Sequence, residues 1–180
     1  MFSGGLMQTT FQVLINPDYV ASQFHNDVGL VYLGSPVGLS AAVQTIRLPS
    51  FSQIGQTFAG AVATVSGWGE TGTPSSVQNV LRFGIMRIIS NDECASHHGT
   101  GLVNQQVLCA VGFTTPNQGH CGGDSGGPLS MFEQDGIRTL VGTVSFWAVA
   151  GCDVGLPSGY MRTSQFLLWI LTSTGIPIRP

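Results

Sequence analysis

The chain has 180 residues, of which 8% are charged, and its formal net charge at pH 7 is −3. It contains no lysine and its six arginines form no cluster, which argues against nucleic acid or an anionic membrane surface as a partner. No apolar run approaches the roughly 18 residues of a membrane-spanning helix, and the length suits one domain or two small ones.

Short apolar segments, separated by glycine, proline, serine and asparagine, predict an all-β chain of the sandwich or barrel type. In chain order, the predicted strands are Phe11–Ile15, Val28–Leu33, Ala61–Trp68, Leu81–Ile89, Gln106–Val111, Pro128–Phe132, Thr139–Phe146 and Gly159–Arg162. From Ser164 onward the apolar residues fall at helical spacing. Ser164 is the predicted N-cap of this C-terminal helix, and Gly175 is the residue that ends it.

The four cysteines allow three different pairings. Paired cysteines imply an oxidising, extracellular compartment. Cys94, His97 and His98 also suggest a zinc site, but their spacing matches no standard zinc finger, and a surface loop is the favoured interpretation. The first six residues lack the features of a secretory signal, so we expect the beginning of the chain to be missing.

The segment CGGDSGGPL at residues 121–129 is the strongest functional signal. Its glycines permit positive φ angles, and such a loop can aim successive N–H groups at a developing oxyanion. Ser125 would then be a nucleophile, provided that a base is near. One alternative is a glycine-rich hairpin turn. Another is the G-x-S-x-G elbow of α/β-hydrolases, but it needs a helix directly after the serine and a histidine downstream, and no histidine follows His120.

This loop resembles the active-site loop of the chymotrypsin/trypsin-like serine proteases, in which GDSGGP carries the catalytic serine. Further segments resemble other motifs of that family and follow its order: NDVGL at 26–30, SGWG at 66–69, VSFW at 144–147 and FLLWI at 166–170. The resemblance covers the chain from about residue 12 to about residue 175. Nearly the whole chain is thereby identified as a member of this family, and we expect this member to be truncated at its N-terminus.

The resemblance implies two antiparallel β-barrels with an active site between them, the first barrel being incomplete here, followed by a C-terminal helix. Residues 1–45 would be the remnant of the N-terminal barrel and 46–65 the interdomain connection. Residues 66–162 would form the C-terminal barrel and 163–175 the helix. An incomplete barrel leaves open strand edges and an uncovered apolar face, which favour aggregation.

By resemblance, Ser125 is the nucleophile and Asp27 the aspartate that orients the catalytic histidine, the alternative for Asp27 being a cap at a strand end. The oxyanion donors would be the backbone N–H groups of Gly123 and Ser125. Asp124 matches the aspartate that pairs with the N-terminal amine released on activation. The family's histidine precedes the aspartate by roughly 45 residues, and no such residue is present. His25 is expected at the surface or the cleft rather than in that role.

The resemblance also assigns a substrate pocket and two disulfides. Gly119 would form the base of the pocket, while Ser145, Trp147 and Ser158 would line its walls. Gly119 offers no counter-charge to a cationic side chain, and the bulk of Trp147 favours small apolar side chains, although Phe146 and Trp147 could instead be core aromatics. The family pattern pairs the cysteines as Cys94 with Cys109 and Cys121 with Cys152.

The functional prediction is a serine endopeptidase that is secreted, made as a zymogen and independent of metal or cofactor. Its partners would be protein or peptide substrates and possible protein inhibitors, with no nucleic acid and no membrane, and a monomer is expected. A non-catalytic homologue that binds partners through the old cleft is the alternative from another class. A truncated product that does not fold stably is the third.

Overall fold

The computed structural model describes residues 6–10, 12–73 and 75–180. The all-β prediction is confirmed: the strands found in these ranges are β1 (Gln12–Ile15), β2 (Gly29–Tyr32), β3 (Val62–Gly67), β4 (Arg82–Ile89), β5 (Val107–Gly112), β6 (Pro128–Phe132), β7 (Arg138–Phe146) and β8 (Ser158–Arg162). The helices are α1 (Asn91–His98) and α2 (Leu167–Thr174), and short 3-10 turns span Phe51–Gln53 and Thr163–Phe166. Phe11, the first residue of the earliest predicted strand, lies outside the described residues.

Strands β3 to β8 close into one antiparallel barrel in the order β3-β4-β5-β8-β7-β6. Closure is made between β3 and β6, where Thr64 pairs with Ser130 and Val65 with Leu129. Alternation along the strands points one face inward, and this face forms the core that includes Val65, Leu129 and Tyr160. The barrel begins at Val62, four residues before the predicted boundary at 66, because β3 starts within the segment assigned to the connection.

Strands β1 and β2 form a separate two-stranded antiparallel sheet. The Tyr32 hydroxyl donates to the Ser173 carbonyl oxygen at 3.0 Å, which ties the sheet to the end of α2. The sheet lies in the segment that the resemblance assigns to the incomplete first barrel. The chymotrypsin-like arrangement, with its incomplete first barrel, therefore agrees with the sequence-based prediction.

The segment between Cys94 and Cys109 begins in the helix Asn91–His98, so the prediction of a surface loop there was wrong for residues 94–98. The Ser90 hydroxyl accepts a hydrogen bond from the Glu93 N–H at 3.1 Å, which caps α1. Cys94 is the buried residue of this helix. A helix with so little apolar surface gives no periodic hydrophobic signal, which is why the pattern was missed.

The C-terminal helix is confirmed, but its predicted N-cap is not. Ser164 lies inside the 3-10 turn and is buried, and its hydroxyl has no hydrogen-bond partner, so it caps nothing. Gly175 ends α2 as predicted, with φ at 71° and its N–H donating to the Leu171 carbonyl at 2.8 Å. Within the described ranges, no helix has the length and apolar character that crossing a membrane would require.

Candidate active site

The loop between β5 and β6 presents Ser125 at the surface. Two backbone hydrogen bonds form tight turns within the loop. The Asp124 N–H donates to the Cys121 carbonyl at 3.1 Å, and the Gly127 N–H donates to the Asp124 carbonyl at 2.8 Å. A third, from Gly126 N–H to the Val144 carbonyl at 2.9 Å, fastens the loop to β7. A Cβ on Gly127 would lie 2.7 Å from the Asp124 carbonyl oxygen, so glycine is needed for the loop to close this tightly.

The N–H groups predicted to form the oxyanion site are unengaged. Gly123 adopts a φ of +91°, which favours glycine. In the part of the chain that the structure describes, neither the Gly123 nor the Ser125 N–H donates a hydrogen bond, and the Ser125 hydroxyl makes none either. The loop therefore presents one hydroxyl and two free donors to a ligand.

Asp124 points away from Ser125 and toward the SGWG segment. Its Oδ1 accepts from the Gly69 N–H at 2.8 Å and its Oδ2 accepts from the Cys121 N–H at 3.1 Å. A Cβ on Gly69 would lie 2.5 Å from the Asp124 carboxyl carbon, and Gly67 also lies against this carboxylate. The glycines of SGWG thus make room for the carboxylate, a role that the sequence alone did not reveal.

A cavity of about 340 Å³ opens beside this carboxylate, and we call it the Asp124 cavity. Its charged lining consists of Asp124, Glu70 and Asp153 against the single basic residue Arg82. The excess of carboxylates suits a cationic ligand. Asp124 itself is half-buried, and no ion pair joins it to an arginine or histidine of the described residues.

Asp27 contacts the strand predicted to bind substrate. Its Oδ2 accepts a hydrogen bond from the Ser145 hydroxyl at 2.7 Å. Ser145 lies where the β7–β8 register shifts between Val144 and Phe146, and such an irregularity re-aims a side chain. Sequence reasoning named both residues but not their contact. The carboxylate bridges to a distant strand, which is not the contact of a local strand-end cap.

His25 and His98 are engaged away from the nucleophile. His25 Nε2 lies 3.1 Å from the Gly101 carbonyl oxygen, and Asn26, with φ at 54°, separates it from Asp27. His98 Nε2 lies 2.8 Å from the Pro157 carbonyl oxygen. No described hydrogen bond joins a histidine to Ser125, so the base that the nucleophile needs is not among these contacts.

His120 lies in the region of the predicted substrate pocket. Its ring is buried, and its Nε2 lies 3.3 Å from the Gly159 carbonyl oxygen. Burial lowers the pKa of His120 to about 4, while the Gly159 carbonyl, Asp124 and the Phe146 carbonyl act in the opposite direction. The Phe146 carbonyl oxygen raises the pKa although it accepts no hydrogen bond from Nδ1, which has no partner. The imidazole is therefore neutral at neutral pH.

A second cavity, of about 380 Å³, lies beside Ser125 and is lined mainly by apolar groups. Trp68, Val77 and Pro128 form its walls next to Ser125 and Gly123. We call it the Ser125 cavity. It offers apolar surface directly beside the hydroxyl, a feature that the sequence motifs did not predict.

Both expected disulfides are present, Cys94 with Cys109 and Cys121 with Cys152. The second connects the nucleophile loop to the segment after β7. Since Cys94 is oxidised, its thiolate is not available for the zinc site considered with His97 and His98. Among the described residues, no group of three or more histidine, cysteine and acidic side chains is arranged to hold a metal ion.

Comparison with known proteins gives matches along most of the chain. The family model described as trypsin matches residues 5–170. A collagenase from Hypoderma lineatum is 32% identical, covering 98% of this chain and 67% of its own length. Brachyurin from Leptuca pugilator is 36% identical, covering 90% and 66% respectively. The solved structure of HL collagenase matches with a TM-score of 0.82 and 32% identity, over 94% of this chain and 70% of that one.

The chain thus spans about two thirds of the length of these curated relatives. The solved structure shares its fold as well as its sequence pattern. Since the family model matches far more than half of the chain, the chain belongs to the chymotrypsin/trypsin family of serine proteases, enzymes that act on protein substrates.

Proposed function

We propose that this chain carries the nucleophile half of a serine endopeptidase, which hydrolyses peptide bonds through an acyl-enzyme on Ser125. The observation that carries the proposal is the exposed Ser125, whose N–H group is unengaged like that of Gly123, on a loop fastened to β7. A hydroxyl and two donors at one place are what acyl transfer requires from this half of a site.

In the proposed reaction the Ser125 hydroxyl gives its proton to a histidine base, and its oxygen bonds to the substrate carbonyl carbon. The Gly123 and Ser125 N–H groups stabilise the oxyanion. The carbon–nitrogen bond then breaks, the leaving amine takes the proton, and water later hydrolyses the ester. Asp27 would orient the base, and its bond to Ser145 holds its carboxylate in a fixed position.

The described contacts do not supply the histidine base of the proposed catalytic site. We therefore propose that the 180-residue chain is inactive by itself, and that activity needs a histidine base supplied from outside these contacts. As a complete protease it would be a secreted monomer, cleaving protein or peptide substrates and open to protein inhibitors.

Zymogen activation is supported by the Asp124 cavity. Its carboxylates would hold the ammonium group of a newly cleaved N-terminus. The family resemblance gives this ammonium group as the partner of Asp124. Only backbone N–H groups bind Asp124 in the described structure. An ammonium group there would add a charge-assisted hydrogen bond and steady the nucleophile loop.

A non-catalytic homologue that binds partners through the cleft is the second candidate. It is favoured by the engagement of His25 and His98 with carbonyl oxygens rather than with the nucleophile. The upstream transcript separates the two functions. A signal peptide, a cleavage site and an Ala-Ala-His-Cys segment there support the protease, whereas a verified start at Met1 supports the homologue.

Labelling of Ser125 by a serine-directed fluorophosphonate tests the state of the site. We expect negligible labelling of the 180-residue chain, because an unactivated serine hydroxyl is a weak nucleophile. The readout is gel fluorescence, with Ser125→Ala as the background control. Strong labelling that disappears in Ser125→Ala would show that the chain activates its serine without the upstream histidine.

A further inference from the structure

Of the residues expected to line the substrate pocket, Gly119 lines the Asp124 cavity, whereas Trp147 packs against a buried side chain. The His120 ring is 0% exposed, and it meets the rings of Trp147 and Tyr160 edge to face, with centroids 6.0 Å and 4.9 Å away. Ser158 is 2% exposed, and a Cβ on Gly119 would lie 3.1 Å from its hydroxyl oxygen. Neither the Asp124 cavity nor the Ser125 cavity is lined by Trp147 or Ser158.

We propose that His120 is a specificity-determining residue whose imidazole fills the primary pocket and restricts the acyl side of the scissile bond to glycine or alanine. The inference rests on the proposed function, because it concerns the substrate residue bound beside Ser125. Glycine and alanine need no deep pocket. An aromatic or long aliphatic side chain would have to displace a close-packed ring, and it would lose the buried contacts that this ring makes.

The ring is held by packing and by one hydrogen bond. Nε2 engages the Gly159 carbonyl oxygen, while Nδ1 and the Tyr160 hydroxyl are buried without partners. Gly159 is itself fixed, because the Phe146 ring lies where a Cβ would stand. The strand β8 therefore carries both the acceptor for His120 and the aromatic surface against which it rests.

Charge also bears on selectivity. His120 is neutral, so it supplies no cation for an acidic substrate side chain. Gly119, at the expected base, supplies no carboxylate for a basic one. It also lines the Asp124 cavity, where the Asp124 carboxylate accepts hydrogen bonds from the Gly69 and Cys121 N–H groups. A small uncharged side chain is the class that fits beside Trp147 and the buried, neutral ring of His120.

Two variants separate filling of the pocket from hydrogen bonding. His120→Ala and His120→Phe both lose the bond to the Gly159 carbonyl, but only alanine empties the space. Binding is followed by NMR titration of the isotope-labelled chain with indole, and with acetylated tetrapeptides that end in alanine or in phenylalanine. Amide dispersion reports folding, and His120→Ser, which keeps a hydroxyl donor, replaces His120→Ala if that variant is unfolded.

We expect indole to shift the Gly119 and Ser158 amides in His120→Ala alone. The alanine peptide should shift the Gly123 and Ser125 amides in wild type and His120→Phe. The phenylalanine peptide should bind His120→Ala at least about tenfold more tightly than wild type, in line with the selectivity of small apolar pockets.

Indole binding to the wild type, or equal binding of the phenylalanine peptide to wild type and His120→Ala, would overturn the assignment of His120. A different failure points to the proposed function. If no peptide shifts Gly123 or Ser125 in any variant while indole still enters His120→Ala alone, the filled pocket is supported, and the substrate site at Ser125 is refuted.

Discussion

The buried imidazole of His120 makes the stability of the fold depend on pH. Its usual pKa of 6.5 is lowered to about 4 by burial. As pH falls below 6.5, the unfolded chain takes up a proton that the folded chain does not. The free energy of unfolding therefore decreases between pH 6.5 and about 4, by ~3 kcal/mol in total, and this contribution stops changing below that range.

Urea unfolding at pH 7, 5.5 and 4 measures this effect. His120→Phe is the control, because it fills the same space without a titrating group, and it should show a shallower slope across this window. The Asp135 carboxyl, whose pKa is lowered from 3.8 to about 2 by the hydrogen bond from Arg47, changes stability mainly below pH 4 and does so equally in wild type and His120→Phe. Equal slopes in wild type and His120→Phe would contradict the prediction.

Arg162 is the second residue whose burial has a measurable consequence. It is 3% exposed and lies at the end of β8, and burial lowers its pKa to about 10. Its guanidinium donates only to uncharged acceptors, namely the carbonyls of Gln56, Thr57, Gln105 and Val107 and the side-chain oxygen of Asn91. Arg162 thus joins the barrel to the connection before β3 and to the start of α1.

We expect Arg162→Met to lower the free energy of unfolding by roughly 3–5 kcal/mol, because several buried acceptors would lose their donor at once. Arg162→Lys should recover only part of the lost free energy, since an ammonium group cannot reproduce the planar, forked donor geometry of a guanidinium group. Arg82→Lys, at an exposed position, is the matched control and should change stability by less than about 0.5 kcal/mol. Urea unfolding gives all three values, and a wild-type midpoint for Arg162→Met would refute the role.

At the scale of elements, the nucleophile loop and β3 meet around the Asp124 carboxylate. A free ammonium group that reaches this carboxylate should stabilise the loop. We expect the dipeptide Ile-Val, added at about ten times its dissociation constant, to raise the free energy of unfolding by ~1.4 kcal/mol. The melting temperature, followed by circular dichroism, is the measurement.

Two controls make the dipeptide experiment specific. Acetylated Ile-Val has the same side chains without the ammonium group and should give no shift. Asp124→Asn keeps an acceptor for the Gly69 N–H while removing the charge, so it should abolish the shift as well. A stabilisation that survives either control would show that the Asp124 cavity binds the peptide without an ion pair.

The elements also show what sequence reasoning can and cannot reach. Strands were predicted closely because alternation and turn-forming residues are local signals. The helix α1 was missed although Ser90 and Glu93 form a recognisable cap, since its few apolar residues hid its period. The contact between Asp27 and Ser145 spans 118 residues and depends on a shift in strand register, which no local pattern records. Burial of His120 likewise depends on its neighbours in the folded barrel.

At the scale of the whole molecule, the complete barrel sits beside a two-stranded sheet with an uncovered face. Val13, Ile15 and Val31 share that face by alternation, and they are 60%, 64% and 59% exposed. The other face carries Tyr32, which binds the end of α2. A complete protease of this family is expected to be a monomer, but an uncovered apolar face of this kind favours association of the chains.

We therefore expect the 180-residue chain to bind the dye ANS and to associate as its concentration rises, as measured by sedimentation velocity. The double variant Val13→Thr/Val31→Thr keeps the β-branched shape of both residues while making the face polar, so it should bind less dye and remain monomeric to higher concentration. Val149→Thr is the control, because Val149 is even more exposed, at 107%, but lies in a loop after β7. If the double variant and the control associate alike, the exposed face of β1 and β2 is not the surface through which the chains meet.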